Sequence, residues 1–241
     1  MFNVIVVKDY QELSQKAFEV VKGVLKEKES PVLGLATGSS PLGLYQAMID
    51  DHKKNQTDYS KVITFNLDEY VGLPREHQES YYTFMHHNLF DHLNIKEEHV
   101  HLPSGLGDLE ENSKAYEALM ANYQIDLQLL GIGSNGHIGF NEPGTPFDSL
   151  THVVTLKEST RKDNARFFEP LKEEVPTHAI TMGIQSVLKA KKILLIASGK
   201  NKAQAIYNML KGPVTPEHPA SVLQNHPDVI VIVDKEAASL L

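Results

Sequence analysis

Apolar, β-rich runs alternate with stretches of helical period along the whole chain. Val4–Val7, Val32–Ala36, Val62–Phe65, Leu127–Ile132, His152–Leu156, Ile193–Ala197 and Val229–Val233 read as strands, and several of them are unbroken apolar runs. A strand that is apolar at every position, rather than at every second one, suits a parallel sheet covered on both faces. Between the first two runs, Leu13, Ala17, Val20, Val21, Val24 and Leu25 fall on one stripe with Lys and Glu opposite, which predicts an amphipathic helix. Helical patterns also cover Pro41–Asp51, Tyr81–Asp91, Glu110–Tyr123, Thr160–Phe168 and Lys202–Leu210. The alternation predicts an α/β fold, an open, mostly parallel Rossmann-like sheet with helices on both faces. No low-complexity linker, internal repeat or charge block interrupts it, so residues 1–241 are expected to form a single domain.

Composition narrows the chemistry. The chain has no cysteine, which excludes disulfides, thiolate nucleophiles and cysteine-ligated metal, and a reducing cytoplasm is the expected compartment. The N-terminal apolar run has no basic flank and is not expected to be a signal peptide. No apolar stretch approaches the ~20 residues of a membrane helix. With 31 acidic residues against 23 basic ones, a net charge of −8 argues against nucleic acid as a partner. It leaves room for a small phosphorylated ligand, which needs only a few local donors. An acidic surface fits a monomer and a homo-oligomer alike.

In folds of this kind, ligands bind beyond the carboxyl ends of the strands. The second strand runs into Thr37-Gly38-Ser39-Ser40-Pro41, a small-residue turn that opens a helix, with Pro41 expected at the first helical position. Free N–H groups and short hydroxyls there suit an anion, although the same residues also make an ordinary helix start. The spacing is neither a Walker A loop nor a dinucleotide turn. The third strand runs into Asn66-Leu67-Asp68-Glu69-Tyr70, where alternation lets one carboxylate face a cleft and turns the other toward a neighbour. A carboxylate so placed can act as a general base, and a solvated acidic turn is the competing reading.

The fourth strand runs into Gly131-Ile132-Gly133-Ser134-Asn135-Gly136-His137-Ile138-Gly139-Phe140-Asn141-Glu142-Pro143-Gly144. Five glycines, with His137 and Glu142, are too dense in function for a mere connection, and a histidine–carboxylate pair is an acid/base arrangement. Two of the three arginines, Arg161 and Arg166, share one segment, and Lys200 and Lys202 follow the sixth strand. An arginine fork and a lysine could close on a phosphate held at Thr37–Ser40. The run His86-His87 with His92 lacks a carboxylate at ligand spacing and is expected to be surface, so no metal site is assigned.

These segments together resemble the glucosamine-6-phosphate deaminase (glucosamine-6-phosphate isomerase) family. The resemblance rests on Leu33–Gly43, Thr64–Pro74 with Glu79-Ser80-Tyr81-Tyr82, Gly136-His137-Ile138-Gly139-Phe140-Asn141-Glu142-Pro143, Asn164-Ala165-Arg166-Phe167-Phe168 and the Lys202 segment. It implies conversion of glucosamine 6-phosphate to fructose 6-phosphate and ammonia, without metal or cofactor. It implies Asp68 as the base that moves a proton between C2 and C1. His137 would open the sugar ring, with Asn135 and Glu142 in support. Thr37, Gly38, Ser39, Ser40, Arg166 and Lys202 would hold the phosphate.

Where some members carry aspartate, this chain has Asn135, an uncharged acceptor, so more of the imidazolium support is expected from Glu142. The chain ends at Leu241 and has no Lys or Arg in Gly144–Val154, so activation by N-acetylglucosamine 6-phosphate is not expected. The competing readings are a galactosamine-6-phosphate deaminase, a 6-phosphogluconolactonase on the same scaffold, and a non-catalytic sugar-phosphate sensor. The sensor would need no acid/base set, and its DNA-binding module has no place before a first strand that starts at Val4.

Overall fold

The computed structural model describes residues 2–241, apart from the side chains of Ser159 and Asp163. The elements are β1 (Phe2–Val7), α1 (Tyr10–Glu27), β2 (Val32–Leu35), α2 (Leu42–Asn55), β3 (Ile63–Asn66), β4 (Asp68–Tyr70), α3 (Tyr81–Asn88), β5 (Val100–His101) and α4 (Leu109–Met120). They continue with β6 (Leu127–Leu130), β7 (His152–Thr155), α5 (Glu158–Phe168), β8 (His178–Thr181), α6 (Ile184–Leu188), β9 (Lys192–Ala197), α7 (Ala203–Lys211) and β10 (Val229–Asp234).

Seven strands form one sheet in the order β1-β10-β9-β6-β2-β3-β5, and every pairing is parallel. The central strands β2 and β6 are buried along their whole length, as their unbroken apolar runs require. Gln128 is the exception in β6. Its amide lies against Gly34 of the neighbouring strand, where an added Cβ would stand 2.0 Å from Oε1. Helix α1 begins at Asp9, whose carboxylate accepts from the Glu12 N–H, and buries Leu13, Ala17, Phe18, Val21 and Val24 against the sheet.

The order of the strands decides where a ligand can enter. From β2 the chain moves outward to β3, whereas from β6 it moves the other way to β9. Right-handed crossovers therefore put α1 and α2 on one face and α4 and α7 on the other. At β2 and β6, adjacent strands whose connections leave in opposite directions, the turns splay apart and open a crevice at the carboxyl edge.

Three predicted features are placed differently. The run at residues 152–156 forms β7, but β7 pairs antiparallel with β8, and β8 with β4, in a separate three-stranded sheet. Asp68 and Glu69 consequently lie on β4 of that small sheet rather than at the end of β3. Leu67 joins the two sheets, its N–H donating to the Leu35 carbonyl and its own carbonyl accepting from Met182. Pro41 stands one position earlier than expected, as the N-cap of α2, with no side-chain capping bond. A second apolar cluster, including Tyr70, Phe140, Leu156, Phe168 and Val175, packs the small sheet beneath α5. Among the described residues, no helix is long and apolar enough to cross a membrane.

Candidate active site

A cleft of about 700 Å³ opens at the carboxyl edge of the large sheet, above β2 and β6. Thr37, Gly38, Ser39 and Ser40 line it, as do Asp68, His137, Arg166 and Lys202. Eight of the ten residues singled out from the sequence thus face one cavity. Asn135 and Glu142 do not line it; they stand behind the imidazole.

The turn after β2 is shaped by Gly38 at φ +91°, which an L side chain rarely adopts. It exposes Gly38 and Ser39 and leads directly into the N-terminus of α2. Arg166 is exposed at the rim with its guanidinium 4.7 Å from the Phe167 ring centroid. Arg161 turns elsewhere, its guanidinium donating to the Val175 carbonyl. Lys202 follows Ser198 and Gly199, whose turn is fastened by Asp234 at the end of β10. That carboxylate accepts from the Ser198 hydroxyl at 2.5 Å and from the Gly199 and Ala237 N–H groups.

The two adjacent carboxylates on β4 have separate fates. Glu69 is buried and accepts from three backbone N–H groups, those of Tyr70, Tyr81 and Tyr82, so it ties β4 to the first turn of α3. Asp68 faces the cleft with only 6% of its surface exposed. Burial, reinforced by the nearby negative charge of Glu69, pushes its carboxyl up to about 8. Gly139 stands beside it at φ +58°, a conformation that L side chains rarely adopt.

Around His137 the hydrogen bonds determine the protonation pattern. As a carboxylate, Glu142 can only accept, and its Oε2 receives the Asn135 amide N–H at 2.8 Å. Asn135 therefore turns its carbonyl oxygen toward the imidazole, 2.7 Å from Nδ1. Nδ1 must carry the proton in this bond, so the neutral ring has its lone pair on Nε2. Glu142 Oε2 lies 3.7 Å from Nδ1, so the hydrogen-bond partner of that nitrogen is Asn135. Asn135 is thus the uncharged acceptor that the sequence allowed, with the Glu142 charge one hydrogen bond further back. The Thr160 hydroxyl of α5 donates to the other oxygen of Glu142. The ring lies flat on Gly133, where a Cβ would come within 2.2 Å of Cε1, so only glycine admits it.

Sequence reasoning did not single out Tyr10, Tyr81, Thr160, Asn164 or Ser198, all of which line the cleft. Tyr81 and Asn164 sit inside quoted motifs. Asn164 donates to the Tyr70 hydroxyl at 2.8 Å, and the Tyr81 ring stacks parallel to Phe140 at 6.0 Å. Tyr10 carried no local signal. His86 accounts for the histidine-rich run by pairing with Asp91 at 2.8 Å. No group of three or more His, Asp or Glu is placed to hold a metal among the described residues.

Fold and cleft together define a Rossmann-like α/β protein with an anion-type turn and two separate titratable centres at its topological switch point. The sequence model of the glucosamine-6-phosphate isomerases/6-phosphogluconolactonase family matches residues 8–231, and the chain belongs to that family. It is 57% identical over 240 residues to a glucosamine-6-phosphate deaminase of Thermoanaerobacter pseudethanolicus, covering 99% of this chain and 94% of the relative. It is 55% identical over 239 residues to a glucosamine-6-phosphate deaminase of Bacillus cereus (strain B4264), covering 99% and 88%. A solved monomeric glucosamine-6-phosphate deaminase superposes with a TM-score of 0.96 at 46% identity, over 99% of this chain and 100% of that one. The 6-phosphogluconolactonase of Trypanosoma brucei shares the fold with a TM-score of 0.83 at 18% identity, covering 100% and 99%.

Proposed function

We propose that the protein converts glucosamine 6-phosphate and water to fructose 6-phosphate and ammonia in amino-sugar catabolism, in the cytoplasm. The observation that carries this reading is the full-length identity to deaminases, joined to a cleft that holds two acid/base groups of different kinds. The chemistry needs both. A closed pyranose has no acidic C–H, so ring opening must precede any proton transfer at carbon.

His137, with its lone pair on Nε2, takes the proton of the C1 hydroxyl and returns one to the ring oxygen as the C1–O5 bond breaks. Asn135 and Glu142 hold the Nδ1 proton and stabilise the imidazolium that forms in between. The open-chain aldehyde now has an acidic proton at C2. Asp68, once ionised, removes it while one ammonium proton passes to O1, giving a neutral enolamine; Asp68 then returns its proton at C1, which leaves an iminium at C2. The ammonium group of the substrate favours that ionisation, because a nearby cation stabilises the carboxylate. Water adds at C2, ammonia departs, and the ketone remains. The Thr37–Ser40 turn, Arg166 and Lys202 hold the phosphate, which fixes the sugar between the two centres.

The direct test is release of ammonia and fructose 6-phosphate from glucosamine 6-phosphate. Equal amounts of both products are expected. Turnover of 6-phosphogluconolactone or galactosamine 6-phosphate in preference to it would overturn the assignment.

A further inference from the structure

The phosphate turn is braced by a side chain of another helix, Tyr10, which also lines the cleft. Tyr10 stands in the first turn of α1, about thirty residues before the turn it touches. Its hydroxyl lies 3.0 Å from the Ser39 carbonyl and 3.0 Å from the Ser40 carbonyl, so its single proton is shared between them. The same oxygen accepts the Gly43 N–H at 2.8 Å. Helix α2 has no side-chain cap of its own at Pro41. One of its first-turn N–H groups is therefore satisfied by Tyr10.

Room for this contact is built in on the other side. A Cβ at Gly43 would stand 2.1 Å from Ser14 Oγ and 3.2 Å from Tyr10 Cε1. Ser14 in turn donates to the Tyr10 carbonyl at 2.8 Å, locking the two residues on adjacent turns of α1. Glycine at position 43 is thus required by close approach, since its φ is not positive.

We propose that Tyr10 is a positioning residue for the phosphate-binding turn, holding the Ser39 and Ser40 carbonyls on its hydroxyl so that the N–H and hydroxyl groups of residues 37–40 are left to the anion. This rests on the phosphate reading of the turn given above. A carbonyl oxygen facing a phosphate repels it, and a loose turn would present carbonyls and N–H groups in turn. Bonding both carbonyls to one phenol removes that alternative before the ligand arrives.

Tyr10→Phe keeps the ring and removes only the bonds. We expect the KM for glucosamine 6-phosphate and the dissociation constant of inorganic phosphate, measured by titration calorimetry, to rise together by about tenfold, the size of one lost hydrogen bond. The kcat should stay within about twofold, because the acid/base groups lie on other elements. Gly43→Ala drives a methyl into Ser14 and crowds the Tyr10 ring, pushing α1 off the turn, and should raise the same two constants, which keeps the test open if either variant folds poorly. Phosphate affinity unchanged in both variants, or a loss confined to kcat, would overturn the inference. Because phosphate binding is read without turnover, it decides the matter even if the deaminase assay fails in the wild type.

Discussion

Asp68 should be a site where activity costs stability, and the effect can be worked out with its sign. Burial, with the charge of Glu69 beside it, pushes the Asp68 carboxyl up to about 8 in the folded protein, against about 3.9 for an unfolded aspartate. The folded state therefore holds a proton that the unfolded state has lost. For a group raised in this way, stability is complete below the unfolded value and declines as pH rises toward the folded one. Integrating between the two values gives a destabilisation of about 1–2 kcal/mol at pH 5, about 4 at pH 7 and about 5–6 at pH 9. Asp68→Asn removes the ionisation and keeps the shape. The variant should lose about 10³-fold or more in turnover, as expected for a general base, together with exchange of the C2 proton into solvent. It should nonetheless melt higher than the wild type by roughly 5–15 °C at pH 7. Thermal unfolding followed by circular dichroism at pH 5, 7 and 9 reads this directly, and the gap between the two proteins must widen with pH. Curves that stay parallel across that range would refute the account of Asp68 as a carboxyl strained by burial. A variant less stable than the wild type at pH 9 would do the same.

Two further substitutions probe the histidine. Gly133→Ala drives a methyl into the imidazole, whose atoms would lie 2.2–2.6 Å from the new Cβ. The ring must shift by about 1 Å, so kcat should fall about 10²-fold; an unchanged kcat would mean that the ring orientation does not matter. Asn135→Leu removes the acceptor that fixes the Nδ1 proton. Turnover of ring-closed substrate should fall about 10²-fold while open-chain turnover is largely kept, and equal losses on both forms would remove His137 and its support from ring opening.

Much of the fold was legible because its signals are local. The buried strands β2, β6, β9 and β10 announce themselves as continuous apolar runs, and α1 as a stripe of period 3.6. Strand β7 was legible as a strand but not as to its sheet, since its partner β8 begins at His178, beyond the whole of α5. Strands β4 and β5, of three and two residues, are too short to carry a period. At the site, the turns after β2 and β6 could be read from their glycines and short polar residues. Asp68 was read as following the third strand; it lies two residues beyond β3, and the short strand β4 that carries it gave no signal of its own.

The chain by itself determined the α/β alternation, the absence of thiol chemistry, and the polar turns that follow its strands, because each depends on neighbours a few residues apart. Only the tertiary structure decided that β2 and β6 lie side by side, and hence that their two turns face one crevice. It also decided that Asn135, not Glu142, meets the imidazole directly. The Tyr10 brace and the Thr160 bond to Glu142 span 33 and 18 residues. Contacts at that separation follow from how helices pack on a sheet, which no local pattern of residues encodes.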